Sequence, residues 1–325
     1  KVMGNRKNLG LKVLADIAKL NEPPSAFQLG YVLGPRINAG GRVGAAGLGS
    51  QLLSTDDTLH ANDIALRLDK FNAERKIIEE SVFRSALTQL QTTYKNSSVV
   101  FAVGEEWHLG VIGIVASRLK ELFNRPALVV SLDRKGGFGI GSGRSISGID
   151  LGANIIAAQQ LGLLEKGGGH KMAAGFAVSY DKLNEFYEFM EGRINKGIGS
   201  SGFSSEIFVE GSVGPGGVTS SLISEIYKMA PFGSGNPEPM FVIPNANISY
   251  ADVVGDSHIR VGLSKPGGGQ VRCIAFRSLE RAYGKVLLKN SGEPFHFAGK
   301  LRMNNWQGRN YPQFQIEDVA PAYKV

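Results

Sequence analysis

Between Ser97 and Gly197, short apolar runs alternate with helical periodicities, and this alternation constrains the fold more than any other feature of the chain. Ser98-Val99-Val100-Phe101-Ala102-Val103 has the length and β-branched content of a buried strand, whereas the apolar residues from Val111 to Phe123 recur at helical spacing. Pro126 to Leu132 and Gly136 to Gly141 read as further strands, and Leu151 to Gln160 as a helix. Ala173 to Val178 reads as a strand and Lys182 to Ile194 as an amphipathic helix. Strand and helix in that order predict a compact mixed α/β domain over 97–197.

The flanks read differently. Residues 1–54 open within a helical pattern (Leu9 to Leu20) and run into the glycine-rich stretch Gly34 to Gly44, as the tail of an α/β domain whose front is absent would. Ser54 or Thr55 can cap a helix, and Ile64, Leu68, Phe71, Ile78, Val82, Leu87 and Leu90 then recur at helical spacing, so 55–96 is expected to be a long connecting helix. Gly197 to Gly202 has linker composition, which sets a linker at 198–204. From 205 to 325 the apolar runs are short: Ile207–Val209, Phe241–Ile243, Ile259–Leu263, Val271–Phe276, Phe295–Arg302 and Tyr311–Ile316, interrupted by a helix from Val218 to Met229. That pattern suits a small β-barrel of the oligonucleotide-binding (OB) type, although a six-stranded sandwich would look similar.

With 325 residues there is room for two or three such domains, and the formal charge of +7 favours a polyanionic partner. The excess is spread nearly evenly over 1–92, 93–200 and 201–325, so any nucleic-acid site must come from the placement of particular arginines and lysines. The single cysteine, Cys273, rules out an internal disulfide and a cysteine-based zinc site, which suits a reducing cytoplasm. No apolar stretch reaches membrane-spanning length.

Four segments couple glycine to a fixed basic or hydrogen-bonding residue: Asn38-Ala39-Gly40-Gly41-Arg42, Gly104 to Gly110 with Trp107 and His108, Gly141-Ser142-Gly143-Arg144-Ser145, and Gly167-Gly168-Gly169-His170. Strand ends and helix N-termini of α/β domains are where ligands bind, and arginine suits phosphate through its planar fork of donors. The glycine triplet reads either as a turn whose N–H groups and His170 cradle an anion, or as a tight turn before a strand with His170 merely packed. His60 with Asp56, Asp57 and Asp63 is the nearest approach to a metal cluster, and its helical spacing reads as a solvated face.

These segments, together with Pro231-Phe232-Gly233-Ser234-Gly235-Asn236-Pro237-Glu238-Pro239, resemble the RecJ single-strand-specific exonuclease family of the Asp-His-His phosphoesterase superfamily. The resemblance covers essentially the whole chain. It makes 97–197 the superfamily's associated substrate-binding domain and 205–325 the RecJ OB domain. It implies 5′-to-3′ degradation of single-stranded DNA in recombination and repair, with Mn2+ or Mg2+ in the whole enzyme. The Asp-His-His triplet that builds the family's metal centre does not occur in this sequence. The chain is therefore expected to be a C-terminal part that binds substrate, holds no metal itself and is inactive alone.

By the same resemblance His170 contacts the scissile phosphate, and Arg36, Asn38, Arg42, His108, Ser142, Arg144, Gly168 and Gly169 hold the 5′ phosphate and adjoining strand. Arg36 could equally brace its own loop, and Trp107 is better suited to core packing than to stacking. In the barrel, Arg260, Arg272, Arg302 and Arg309 could follow the backbone, while Phe276, Phe297, Trp306 and Tyr311 could stack on bases, one or two of them exposed. The partners implied are single-stranded DNA and a single-strand-binding protein or recombination helicase. A binding module without catalysis and a small-nucleotide phosphodiesterase are the alternatives, and the barrel and the 231–239 run argue against the second.

Overall fold

The computed structural model describes residues 7–20, 24–93, 97–133, 135–198, 206–233, 235–289, 292–306 and 309–322. The chain divides into two compact units, Lys1–Ser205 and Glu206–Val325. Apart from Ile198, the linker expected at 198–204 lies outside the described residues.

The first unit begins with helices only. Asn8 caps α1 (Leu9–Ile17) by accepting from the Leu11 N–H. A Ser25/Gln28 capping box starts α2 (Ala26–Gln28), which runs through a π-helical stretch, Leu29–Leu33, into α3 (Gly34–Val43). The glycine-rich segment around Arg42 is thus helical, with Pro35 just after the π-helical stretch. α4 (Leu48–Ser54) follows, then α5 (Thr58–Thr93), a single helix of 36 residues. Asp57 caps α5, its carboxylate accepting from the N–H groups of Leu59 and His60, and those two bonds hold its pKa below the ordinary carboxylate value. Leu14, Leu33, Leu48, Leu52, Ile64 and Leu68 form the core of this helical layer.

The second half of α5 packs against the α/β part. There β1 (Val100–Glu105), α6 (Leu109–Phe123), β2 (Ala127–Leu132), β3 (Phe138–Arg144), α7 (Leu151–Gln160), β4 (Lys166–His170), β5 (Ala173–Ser179) and α8 (Leu183–Ile198) follow in order. The sheet order is β1-β2-β3-β5-β4, with β1 and β2 parallel and the remaining pairs antiparallel. Val82, Phe83 and Leu90 of α5, with Val111 and Val115 of α6, cover one face of β1 and β2 through Val100, Ala102 and Val129. On the other face, Leu151 and Ile155 of α7 and Phe186 and Met190 of α8 meet Leu128, Val130, Phe176 and Val178. The Gly167–His170 segment, expected to be a turn, is the edge strand β4, and the turn falls on Lys171 and Met172.

The second unit is a barrel. The Ile207–Val209 stretch forms no strand, and the first pairing is the short β6 (Gly211–Ser212). It is followed by α9 (Ser220–Tyr227), β7 (Phe241–Val254), β8 (His258–Lys265), β9 (Gly269–Ala275), α10 (Ala282–Lys289), β10 (Phe295–Trp306) and β11 (Arg309–Pro321). Pairings run β7-β8-β9-β11-β10 and return from β10 to β7, closing a five-stranded barrel in which only the β9–β11 pairing is parallel. Closure decides between the two architectures left open by the apolar pattern, in favour of the OB type. Ile259, Val261, Leu263, Cys273, Phe297, Leu301 and Phe314 fill the interior.

Candidate nucleic-acid interface

Register fixes what β3, β5 and β4 present on each face. Ser142 pairs with Gly175 and Gly175 with Gly168, while Arg144 pairs with Ala173 and Ala173 with His170. Directly paired residues of antiparallel strands point to the same side, and residues two apart share it. Ser142, Arg144, Gly168, Gly175 and His170 therefore occupy one face. The opposite face carries Gly141, Gly143, Gly167 and Gly169 toward the α7–α8 core.

The two sets of glycines exist for different reasons. A Cβ on Gly141 would lie 2.1 Å from the Phe176 ring, one on Gly143 2.7 Å from Leu128, and one on Gly167 2.8 Å from Ile155. One on Gly169 would meet the Ala173 carbonyl oxygen at 2.3 Å. These four are demanded by packing. By contrast, a Cβ on Gly168 would have no atom within 4 Å, and one on Gly175 would only touch the Gly141 oxygen at 3.9 Å. The result is a shallow trough floored by Gly175 and Gly168, with Ser142 and Arg144 on one side and His170 on the other. Two strand spacings separate Arg144 from His170, about 10 Å. His170 is exposed, and its Nδ1 accepts from the Met172 N–H at 3.3 Å, which leaves the proton of the neutral ring on Nε2.

A third element completes the Arg144 end. Arg42, at the last turn of α3, donates through Nη1 to the Gly110 carbonyl at 3.0 Å, which ties α3 to the start of α6. Arg144 donates through Nη1 to Ser142 Oγ at 3.2 Å and to the Gly143 carbonyl at 2.8 Å. Among the described residues neither arginine has a carboxylate partner. Burial, and secondarily the charge of Arg42, lower the Arg144 pKa from its ordinary value. Two guanidiniums close enough to repel, beside the Ser142 hydroxyl, are an arrangement chemically suited to an anion.

The other sequence candidates are placed differently. His108 caps α6, its Nδ1 accepting from the Gly110 N–H at 3.1 Å. Arg36 braces α3 against α5 through Asp69 at 2.8 Å and also donates to the Val32 carbonyl. Asn38 is exposed on α3, and Trp107 packs against the α5–α6 core. Among the described residues no group of three or more His, Cys, Asp or Glu could hold a metal ion.

In the barrel unit, a groove of about 700 Å3 runs over the outer surface of β8, β9 and β11. Arg260, Arg272, Phe276, Arg309 and Tyr311 line it, and among the remaining lining residues four carry polar groups the sequence did not single out: Tyr250, His258, Asn304 and Gln313. Phe276 is 47% exposed and stacks edge-on with His258 at 5.1 Å, whereas Arg272 lies over the Tyr311 ring at 5.3 Å. Asn304 donates to the Tyr311 hydroxyl at 2.7 Å, and Arg260 pairs with Asp252 at 3.0 Å. Strand alternation would have revealed the polar four only with the barrel register in hand.

One expectation for this unit needs correction, and one candidate stands apart from the groove. Phe297 is fully buried in the barrel core and offers no stacking surface. Arg302 lies outside the groove, its guanidinium bonded to Glu238 of the 231–239 loop, with Lys300 at 3.8 Å from the same carboxylate. Asn236 clamps that loop by donating to the carbonyls of Met229 and Pro231, both at 3.0 Å. The Trp306 side chain lies outside the described residues.

Comparison with known proteins matches both units to families. Residues 96–196 match the DHHA1 domain and residues 209–318 the RecJ OB domain. The single-stranded-DNA-specific exonuclease RecJ of Bacillus subtilis is 30% identical over 323 residues, covering 96% of this chain and 39% of that protein. Its Escherichia coli counterpart is 31% identical over 320 residues, covering 96% of this chain and 54% of that protein. The crystal structure of RecJ from Thermus thermophilus in complex with Mn2+ superposes with a TM-score of 0.79 at 28% identity, over 98% of this chain and 45% of that one. The chain thus spans about half the length, or less, of the relatives it matches. With both domains, these homologues and the matching fold in agreement, the chain belongs to the RecJ family and corresponds to the C-terminal part of its members.

Proposed function

We propose that this chain is the substrate-gripping part of a single-strand-specific 5′-to-3′ DNA exonuclease. The observation that carries the reading is the convergence of Arg42, Ser142 and Arg144 from α3 and β3 on one spot beside the N-terminus of α6, without a carboxylate to neutralise them. A terminal phosphate monoester carries a charge of about −2 and three acceptor oxygens. An interior phosphodiester carries a single charge, so paired guanidiniums favour the strand end. From there the glycine-floored trough leads to His170, whose Nε2–H is free to donate to a phosphate further along the strand. The barrel groove supplies aromatic faces and arginines for single-stranded bases and backbone.

In this reading the chain's own residues bind and orient the strand, and the divalent metal seen in the Thermus RecJ structure belongs to the whole enzyme. Incubated with Mn2+ and labelled single-stranded DNA, the chain alone should leave the strand intact. It should still bind, preferring single strands over duplex and 5′-phosphorylated over 5′-hydroxyl ends. Arg144→Ala removes a charge-assisted contact worth roughly 1.5–3 kcal/mol, which should shrink the 5′-phosphate preference about tenfold to a hundredfold. His170→Ala should weaken both substrates alike. Equal weakening of both by Arg144→Ala would make it a general backbone contact and refute the pocket.

A further inference from the structure

α6 carries two glycines one turn apart, Gly110 and Gly113, on the side that faces the pocket. They are not equivalent. A Cβ on Gly110 would sit 2.1 Å from the carbonyl oxygen of Arg42 and 2.8 Å from its carbon, a backbone collision that no side-chain rotation relieves. α3 and α6 can approach only because Gly110 has no side chain. A Cβ on Gly113 would meet Arg144 Nη2 at 2.9 Å, Ser142 Oγ at 3.0 Å and Arg144 Cζ at 3.6 Å. Those are tips of movable side chains, and they are the two groups of the anion pocket on β3. Packing of the helix on the sheet therefore does not require glycine at 113. A glycine inside a helix lowers its stability relative to alanine, so this one is retained against local preference.

We infer that Gly113 is a positioning residue that sets the specificity of the pocket for a terminal phosphate, by giving the Arg144 guanidinium a flat shelf of helix backbone to lie on. The inference rests on the reading of Arg42, Ser142 and Arg144 as a 5′-phosphate site. With the shelf bare, Arg144 is held beside Ser142 by Nη1, which donates to both Ser142 Oγ and the Gly143 carbonyl, while Nη2 lies toward the helix. A methyl group there displaces the guanidinium by about half an ångström, comparable to the tolerance within which a binding constellation keeps its function. The displaced arginine keeps its charge, so attraction for the singly charged phosphodiesters of the strand survives. What goes is the forked match to the doubly charged end.

The test compares the unsubstituted chain with Gly113→Ala, Gly110→Ala and Arg144→Ala. Each is titrated by fluorescence anisotropy with a short oligothymidylate bearing a 5′ phosphate or a 5′ hydroxyl, and each is melted. Gly113→Ala should lose about tenfold of the 5′-phosphate preference, as expected when a forked charged contact is broken. Its affinity for the 5′-hydroxyl strand and its melting temperature should be kept or raised. Gly110→Ala should melt lower. If Gly113→Ala keeps the preference, or melts as low as Gly110→Ala, the residue serves packing alone and the inference is wrong while the pocket stands. If the unsubstituted chain shows no preference, or Arg144→Ala leaves the preference intact, the pocket itself fails and the role of Gly113 goes with it.

Discussion

Truncating Arg302 separates a structural arginine from a nucleic-acid contact. The Glu238 side chain is 9% exposed and its carboxylate is held by Arg302, itself one-third exposed, with Lys300 more distant at 3.8 Å. Removing Arg302 leaves a buried carboxylate with one weak partner, and stranding a buried charge costs about 3–5 kcal/mol. Lys300 remains within reach, so the low end, about 3 kcal/mol, applies to Arg302→Ala. Glu238→Gln keeps the shape and an oxygen that accepts from Arg302, whose side chain is one-third exposed although its Nε is buried, so it should cost less, about 1 kcal/mol. For a unit the size of the barrel, each kcal/mol shifts the melting temperature by roughly 4–8 °C, so Arg302→Ala should lower it by more than about 10 °C. Calorimetry on the whole chain reads the barrel transition, and anisotropy well below it reads oligothymidylate binding, which should stay within about twofold of the unsubstituted chain because the lost interaction is internal. An unchanged melt with a large loss of binding would refute this account and return Arg302 to the strand-contacting arginines.

Three further outcomes follow from the same structure. Gly168→Ala should fold normally but weaken single-strand binding by narrowing the trough, whereas Gly167→Ala should destabilise by about 1–3 kcal/mol through overpacking against Ile155; matched melts and titrations distinguish them. Tyr311→Ala should weaken oligothymidylate binding by about 1–3 kcal/mol, while Tyr311→Phe keeps the stacking face and most of the affinity in the same titration. Burial pushes the Cys273 thiol well above its ordinary pKa. The folded chain keeps that proton while the unfolded thiol releases it above about pH 8.5, so stability falls by about 1.4 kcal/mol per pH unit beyond that point. Denaturant titrations should show that extra slope in the unsubstituted chain and not in Cys273→Ala.

The sheet of the first unit is legible in the sequence because its strands are apolar runs with little else to become: Val100–Val103, Ala127–Leu132 and Ala173–Val178 all fall within observed strands. The glycine segments are not. Gly34–Val43 has poor intrinsic helix propensity and is helical because tertiary contacts override it, Gly40 permitting a close approach to Leu68 of α5, whose methyl would lie 3.2 Å from a Cβ there. Gly167–His170 reads as a turn because three glycines resemble one. Its strand state comes from pairing with β5 and from Ile155 filling the space beneath Gly167. Arg42, Ser142 and Arg144 are visible as residue types, but the reason they meet lies in Gly110, a distant packing contact that no local pattern encodes. Arg302 and Phe297 show the converse: sound residue types on a suitable strand, assigned by register to an ion pair and to the core.

The single helix α5 is a rigid shaft about 54 Å long with two cams fixed to it. Ile64 and Leu68 engage the helical layer, Val82, Phe83 and Leu90 engage the sheet, and between them Asn72, Arg75 and Glu79 form a polar collar that also bonds Arg118 of α6. Inserting one residue between Leu68 and Val82 would turn one cam by about 100° against the other and advance it by about 1.5 Å. Arg42 rides on the first cam and Arg144 on the second, so even a slip too small to unfold either layer would throw the two guanidiniums out of phase. Length changes in related chains should therefore collect in the turns, and the middle of this shaft should keep its residue count even where its sequence drifts.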